Sequence, residues 1–228
     1  MRLLNMEKEM NDDELANYVD RQLNNFFGHC DSVYPYLNDA LFRVEKCFRV
    51  TKNKYYNDGN GKALFSPFHS GQYAVFLYFL SNTIYRMEGS AALATQIYYL
   101  NKILHSTDWY YEVELPEYWG VEHPLGSVLG RAKYSNGFFF YQGCTVGGNR
   151  DKYPVMGENV ILYSNVSILG DTSIGNNVAV STGAVIKNEV IPSNSVVYGQ
   201  SPNLIIRPRD KEYMYELISD VWNNIERK

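Results

Sequence analysis

Apolar residues recur every six positions from Val160 to Ser201, with no insertion or deletion needed to keep them in step. Val160, Val166, Thr172, Val178, Ala184, Val190 and Val196 open successive hexads. Leu162, Ile168, Ile174, Val180, Ile186 and Tyr198 stand two positions later, and Pro192 interrupts that row once. Between them fall Gly, Asn, Asp and Ser, which tolerate tight left-handed corners. Period-two alternation broken by a turn every six residues predicts that each hexad is one short side of a stacked parallel coil. Three such sides close a triangular coil of about eighteen residues, so the pattern predicts a left-handed β-helix of hexapeptide repeats. Traced backwards, Phe138, Phe140, Cys144 and Val146 keep the grid. Gly147 to Tyr153 then insert four extra residues before Pro154 and Met156 resume it. An excursion at a corner is a loop that leaves the prism, and loops on rigid scaffolds commonly carry function.

Upstream the period is helical. Leu15, Tyr18, Val19, Leu23, Phe26 and Phe27 fall on one stripe, with Asn11 or Asp12 as its cap, and Leu37, Leu41, Val44 and Phe48 make a second. Thr51 to Pro67 reads as a polar loop. Gly71 to Met87 is apolar nearly all round, which predicts a buried helix. Gly89-Ser90 ends it and caps a helix carrying Leu93, Ile97, Leu100 and Leu104. Beyond the hexads Met214, Leu217, Ile218, Val221, Trp222 and Ile225 return to helical spacing. The expected architecture is α+β: a helical domain over 1–107, the β-helix over 108–207, and a C-terminal helix over 208–228.

Composition narrows the setting. A chain of 228 residues can bury a sizeable core in one or two domains. A formal net charge of -4 leaves no electrostatic footprint for nucleic acid or an anionic membrane. The charged first fifteen residues lack a signal core, and the longest apolar run, Tyr73 to Leu80, is too short to span a bilayer. Three cysteines, Cys30, Cys47 and Cys144, show no metal spacing and predict a reduced, cytoplasmic protein.

Two motifs lie on this background. Glu122-His123-Pro124-Leu125-Gly126 is similar to the Asp-His-Ala-Thr-Gly of serine O-acetyltransferases. Tyr141-Gln142-Gly143-Cys144-Thr145-Val146-Gly147-Gly148 resembles that family's Gln-x-Val-Thr-Leu-Gly-Gly. The chain therefore resembles a serine O-acetyltransferase-like member of the hexapeptide-repeat acyltransferases, clearly from about Ala91 to Pro202. The resemblance implies transfer of acetyl from acetyl-CoA to a small hydroxylated acceptor, without a metal. It makes His123 the general base, because a hydroxyl is a poor nucleophile until a positioned base takes its proton. It makes Asp108, fifteen residues upstream, the partner that orients the imidazole.

The same resemblance places Glu122 and Asp58 at the acceptor, where two carboxylates favour an ammonium group. Lys152 and Tyr153 stand where the family carries Arg-His before a Pro, and Lys pairs with a carboxylate without the bidentate fork. L-serine or a related small acceptor is expected. Acetyl-CoA is expected between neighbouring β-helices, with Gly147 and Gly148 beside the thioester and Ser164, Asn165, Thr182 and Gly183 along the pantetheine arm. Lys187, Arg207 and Arg209 are candidates for the nucleotide phosphates. A homotrimer follows from a groove that one β-helix only half supplies, and the Gly71–Leu104 helices offer a face for a dimer of trimers. Members of the family often end in a tail that docks into O-acetylserine sulfhydrylase; the ending Glu226-Arg227-Lys228 predicts no such complex.

Other readings stay open. Similar β-helices acetylate hydroxyls or amines of sugars and nucleotide sugars of surface polysaccharides, and a β-helix can be purely structural. A zinc carbonic anhydrase needs three His ligands on neighbouring coils, and the hexads contain none.

Overall fold

The computed structural model describes residues 2–223. Helix α1 (Asp12–Phe27) starts at a capping box: the Asn11 side chain accepts from the Glu14 N–H, and the Glu14 carboxylate accepts from the Asn11 N–H. Helix α2 (Tyr34–Val50) has proline in its first turn and buries Leu37, Leu41, Val44 and Phe48. Helix α3 (Ser70–Arg86) is buried from Gly71 to Ile84, as its all-round apolar surface requires, and packs between α2 and α4 (Ala91–His105). The Ser90 side chain caps α4 by accepting from the Leu93 N–H. Phe26 is exposed, so the buried stripe of α1 is narrower than its spacing suggests. Within the segment expected as a loop, β2 (Ala63–Phe65) pairs in parallel with β1 (Met6–Lys8). Three residues are too few to display an alternation.

From Asp108 the chain winds into a parallel β-helix of three faces. The first stacks β3 (Asp108–Trp109), β5 (Val128–Leu129), β7 (Thr145–Gly147), β10 (Ser167–Leu169) and β13 (Val185–Lys187). The second stacks β4 (Trp119–Glu122), β6 (Phe138–Tyr141), β9 (Val160–Leu162), β12 (Val178–Val180) and β15 (Ser195–Gln200). The third holds β8 (Val155–Met156), β11 (Ser173–Ile174) and β14 (Val190–Ile191). The hexad positions from Phe138 to Ile186 fill the prism: Phe138, Phe140, Cys144, Val146, Leu162, Ile168, Val180 and Ile186 are fully buried. One corner is a ladder of Asn159, Asn177 and Asn194, all left-handed. The Nδ2 of Asn159 donates to Oδ1 of Asn177, and that of Asn177 to Oδ1 of Asn194, each at 3.0 Å. Asn tolerates that backbone, and its amide caps the next coil.

The last coil departs from the sequence grid. Leu169 pairs with Lys187, but Ser173 pairs with Val190, so one residue is missing from the corner after Lys187. Register shifts with it, and a one-residue shift turns side chains to the opposite face. Ile191 and Val197, not Pro192 and Tyr198, meet Ile174 and Val180 in the core, while Val190 is 77% exposed. The interruption at Pro192 is the trace of this deletion.

A further strand, β16 (Asn203–Pro208), folds back antiparallel on β15 and extends beyond the boundary expected at 207. Helix α5 (Lys211–Ile218), capped by Asp210, then lies on the outer side of the second face. There Met214, Ile218, Val221 and Trp222 pack on Phe139, Ile161, Ala179 and Val196. The helix ends at Ile218, short of the expected stripe, and Ile225 and the chain end lie outside the described residues. Trp222 bridges to Thr51, and its Nε1 donates to the Gly137 carbonyl at 3.2 Å, tying this strap to the end of α2 and to the β-helix.

Candidate active site

His123 opens a corner that differs from those stacked beneath it. Glu122 pairs with Tyr141 and Val128 with Thr145, so five residues, 123–127, separate the two strands where the next coil uses three. The corners 164–166 and 182–184 likewise use three. Two extra residues push the turn outward, and His123 stands at its start, exposed and left-handed at φ 57°. Pro124 and Ser127 brace it from below. Ser127, fully buried, donates to the Pro124 carbonyl at 2.5 Å and accepts from the Trp109 indole at 2.9 Å. Glu122 lies alongside. Burial first, then the Glu122 carboxylate beside it, push the Tyr141 phenol up to about 12. Tyr141 in turn stacks on Tyr163 at 5.4 Å.

Asp108 stands across the same corner, paired with Val128. Its carboxylate does not meet His123: Oδ1 accepts from the Tyr98 hydroxyl and Oδ2 from Lys102, both at 2.6 Å. Burial opposes its charge, but Lys102 and Tyr98 outweigh it and hold the carboxyl below its ordinary value. Asp58 is exposed and forms its own turn, with Oδ1 accepting from the N–H groups of Asn60 at 2.8 Å and Lys62 at 3.0 Å. Tyr56, two residues away, is buried within electrostatic reach of Glu122.

The corner column continues downward through Gln142-Gly143, Ser164-Asn165 and Thr182-Gly183. Each coil is linked to the one above: Gly143 N–H donates to Leu125, Asn165 N–H to Gln142 and Gly183 N–H to Ser164. Four of the residues expected along a pantetheine arm therefore share one column beneath His123. The Oε1 of Gln142 is buried there with no hydrogen-bond partner.

Gly147, Gly148, Lys152 and Tyr153 stand at the opposite edge of the first face. The four-residue excursion is a tight hairpin: Asn149 and Lys152 exchange backbone hydrogen bonds across Arg150 and Asp151, both left-handed. A Cβ on Gly148 would sit 2.6 Å from the Tyr153 ring, so this glycine is what lets Tyr153 fold over the hairpin base. Lys187 lies in the same edge, below Gly147 and Leu169. Arg207 is on β16 with its guanidinium 6.0 Å from the Tyr198 ring, and Arg209 lies over Tyr213. The single chain thus divides most of the expected site residues between two edges, with Asp58 in its own turn and Arg207 and Arg209 on the C-terminal segment. Ser127, Tyr98, Lys102 and Gln142 are the contributors that periodicity does not single out. The Ser three residues after Pro124 is the one local signal among them.

Among the described residues no group of His, Cys, Asp and Glu could hold a metal, and no helix is long and apolar enough to cross a membrane. The family model "Bacterial transferase hexapeptide (six repeats)" matches residues 153–188. Serine acetyltransferase 2 of Arabidopsis thaliana is 38% identical over 90 residues, 37% of this chain and 28% of that protein. Among solved structures, the serine acetyltransferase of Neisseria gonorrhoeae in complex with serine superposes with a TM-score of 0.62 at 21% identity, covering 86% of this chain and 84% of that one. A serine acetyltransferase in complex with CoA superposes at 0.64 with 16% identity, over 86% and 84%. The chain is similar to serine acetyltransferases. This serine acetyltransferase-like chain shares the fold of those structures over most of its length, and spans between 28% and 62% of the length of curated relatives such as those of Arabidopsis and Staphylococcus xylosus.

Proposed function

We propose that this chain is an acetyl-CoA-dependent O-acetyltransferase that acetylates the hydroxyl of L-serine or a related small acceptor. The outward-pushed corner that presents His123 at the head of the Gln142–Ser164–Thr182 column carries the reading. The imidazole takes the acceptor's hydroxyl proton as its oxygen attacks the thioester carbonyl. The C–S bond then breaks, and the imidazolium returns the proton to the leaving thiolate. The unpartnered Oε1 of Gln142 suits an amide N–H, a donor that the pantetheine arm of acetyl-CoA carries. Structural neighbours of the same fold include a serine acetyltransferase in complex with CoA and one in complex with serine, which supports a chain that uses both. Glu122, held beside Tyr141, faces the acceptor's ammonium, with Asp58 on the adjoining loop. Asp108 is a positioning residue that must exchange Lys102 or Tyr98 to reach His123.

Lys152 and Tyr153 bind the acceptor of a neighbouring copy. They lie six residues from the His123 edge, about 20 Å of extended chain, on the far side of a flat face. A cyclic trimer brings one subunit's loop edge to the next subunit's His123 edge and closes three equivalent grooves. Release of free thiol from acetyl-CoA tests the reaction, first with L-serine and then with a panel of amino sugars. Serine-dependent release is expected, and release only with the sugars would move the acceptor to the carbohydrate class.

A further inference from the structure

A cavity of about 530 Å³ opens between α2, α3 and the segment Leu115–Glu117 that leads into β4, and none of its lining residues belongs to the proposed acetyl-transfer site. Four cations line it, Arg2, Arg43, Lys46 and Arg86, against two carboxylates, Asp39 and Glu117. Both carboxylates are already engaged, Asp39 by Arg2 at 3.6 Å and Glu117 by Lys46. Arg86 reaches Glu114 only at 4.0 Å. Arg43 has no carboxylate within ion-pair distance among the described residues. Its Nη1 donates to the Thr83 hydroxyl at 2.9 Å, and its plane lies 4.7 Å from the Phe79 ring. Burial pulls this guanidinium below the ordinary arginine range. Among the described residues no buried atom of Arg43 is left without a partner, so the rest of its fork opens to the cavity, where an anion can meet it.

We propose that this cavity binds a small organic dianion, a dicarboxylate or a phosphate monoester, held chiefly by Arg43 and Arg86. The charge follows from four lining cations against two lining carboxylates. The choice of carboxylate or phosphate follows from the planar fork of arginine, which meets such oxygens in pairs. An organic body fits because Phe42 walls the cavity, its ring already faced by Arg2 at 4.5 Å and Lys46 at 5.1 Å. The volume lies within the range of small-molecule sites. Lys46 on α2 pairs with Glu117 at the entry to the β-helix, so a ligand here braces the helical domain against the prism.

Thermal unfolding and calorimetric titration of the full chain at fixed ionic strength test this, with succinate and glycerol 3-phosphate as probes and chloride as control. At about 10 mM, at least one probe should raise Tm by a few degrees while chloride does not, because a ligand that binds only the folded state stabilises it. Arg43→Gln and Arg86→Gln should each weaken the titrated affinity about tenfold or more. Should Arg43→Gln fail to fold, Arg86→Gln, altering a 55% exposed side chain, carries the test. Equal shifts with chloride, no binding of either probe, or unchanged affinity in the folded variants overturns the proposal. Binding is read without acetyl transfer, so the outcome is independent of the proposed activity.

Discussion

His123, the proposed base, adopts a backbone conformation that most side chains avoid. At φ 57° it occupies the left-handed region, where Asn is tolerated and Ala is strained by about 1–2 kcal/mol. His123→Asn therefore separates chemistry from folding better than Ala does. It should lower kcat by about 10²–10⁴-fold with Tm nearly unchanged; turnover close to normal, measured by thiol release, would sink the mechanism. Asp108 behaves differently because Lys102 and Tyr98 already occupy its carboxylate. A carboxyl held below its ordinary value adds stability above its unfolded pKa of about 4 and loses it as pH falls through the folded value. Asp108→Asn should therefore lower Tm near neutral pH, and the gap to the parent protein should close as pH drops below about 4. Thermal scans across pH check this. His123, Glu122 and Asp108 were visible in the sequence as residue types at a spacing. The partners of Asp108 were not, because Tyr98 and Lys102 reach it from a helix packed over the first coil.

At the scale of elements, legibility followed repetition. The hexads in step from Val160 to Ile186 specify a prism, since a one-residue slip turns a coil's side chains to the opposite face. The same regularity concealed the deletion after Lys187, where Val190 keeps an apolar letter on the grid although its side chain faces out. Strands β1, β2 and β16 were illegible because pairing, not periodicity, creates them. The asparagine ladder allows a direct measurement. Asn177 both accepts from Asn159 and donates to Asn194, so Asn177→Ala loses two hydrogen bonds and adds left-handed strain, together about 2–4 kcal/mol. Asn177→Gly removes only the hydrogen bonds and should cost distinctly less by denaturant titration. Equal losses would show that the ladder, not the backbone, accounts for the whole effect. Trp222 gives the corresponding figure for the strap. It is 2% exposed against Tyr118 and Phe139, and truncation to Ala should cost about 3–5 kcal/mol.

At the scale of the whole molecule, the proposed site residues stand at two edges of a flat face, and a second copy is the proposed means of joining them. The C-terminal strap covers the outer side of the second face, but among the described residues the first face carries no such cover beyond its first coil, with Val128 partly exposed beside Thr145, Ser167 and Val185. A neighbour seated against it would bring its hairpin to the His123 corner. Subunit mixing distinguishes this arrangement from a site contained in one chain. His123→Asn removes the base, and a double change of Lys152→Ala with Tyr153→Ala removes the hairpin contacts. Each variant alone should be strongly impaired. Co-refolded in equal amounts, they should assemble at random. A site then needs an intact His123 from one copy and an intact hairpin from the next, each with probability one half. Activity should recover to about a quarter of the parent value in a trimer. Recovery no greater than the averaged activities of the separate variants would place each site within a single chain and remove the reason for a shared groove.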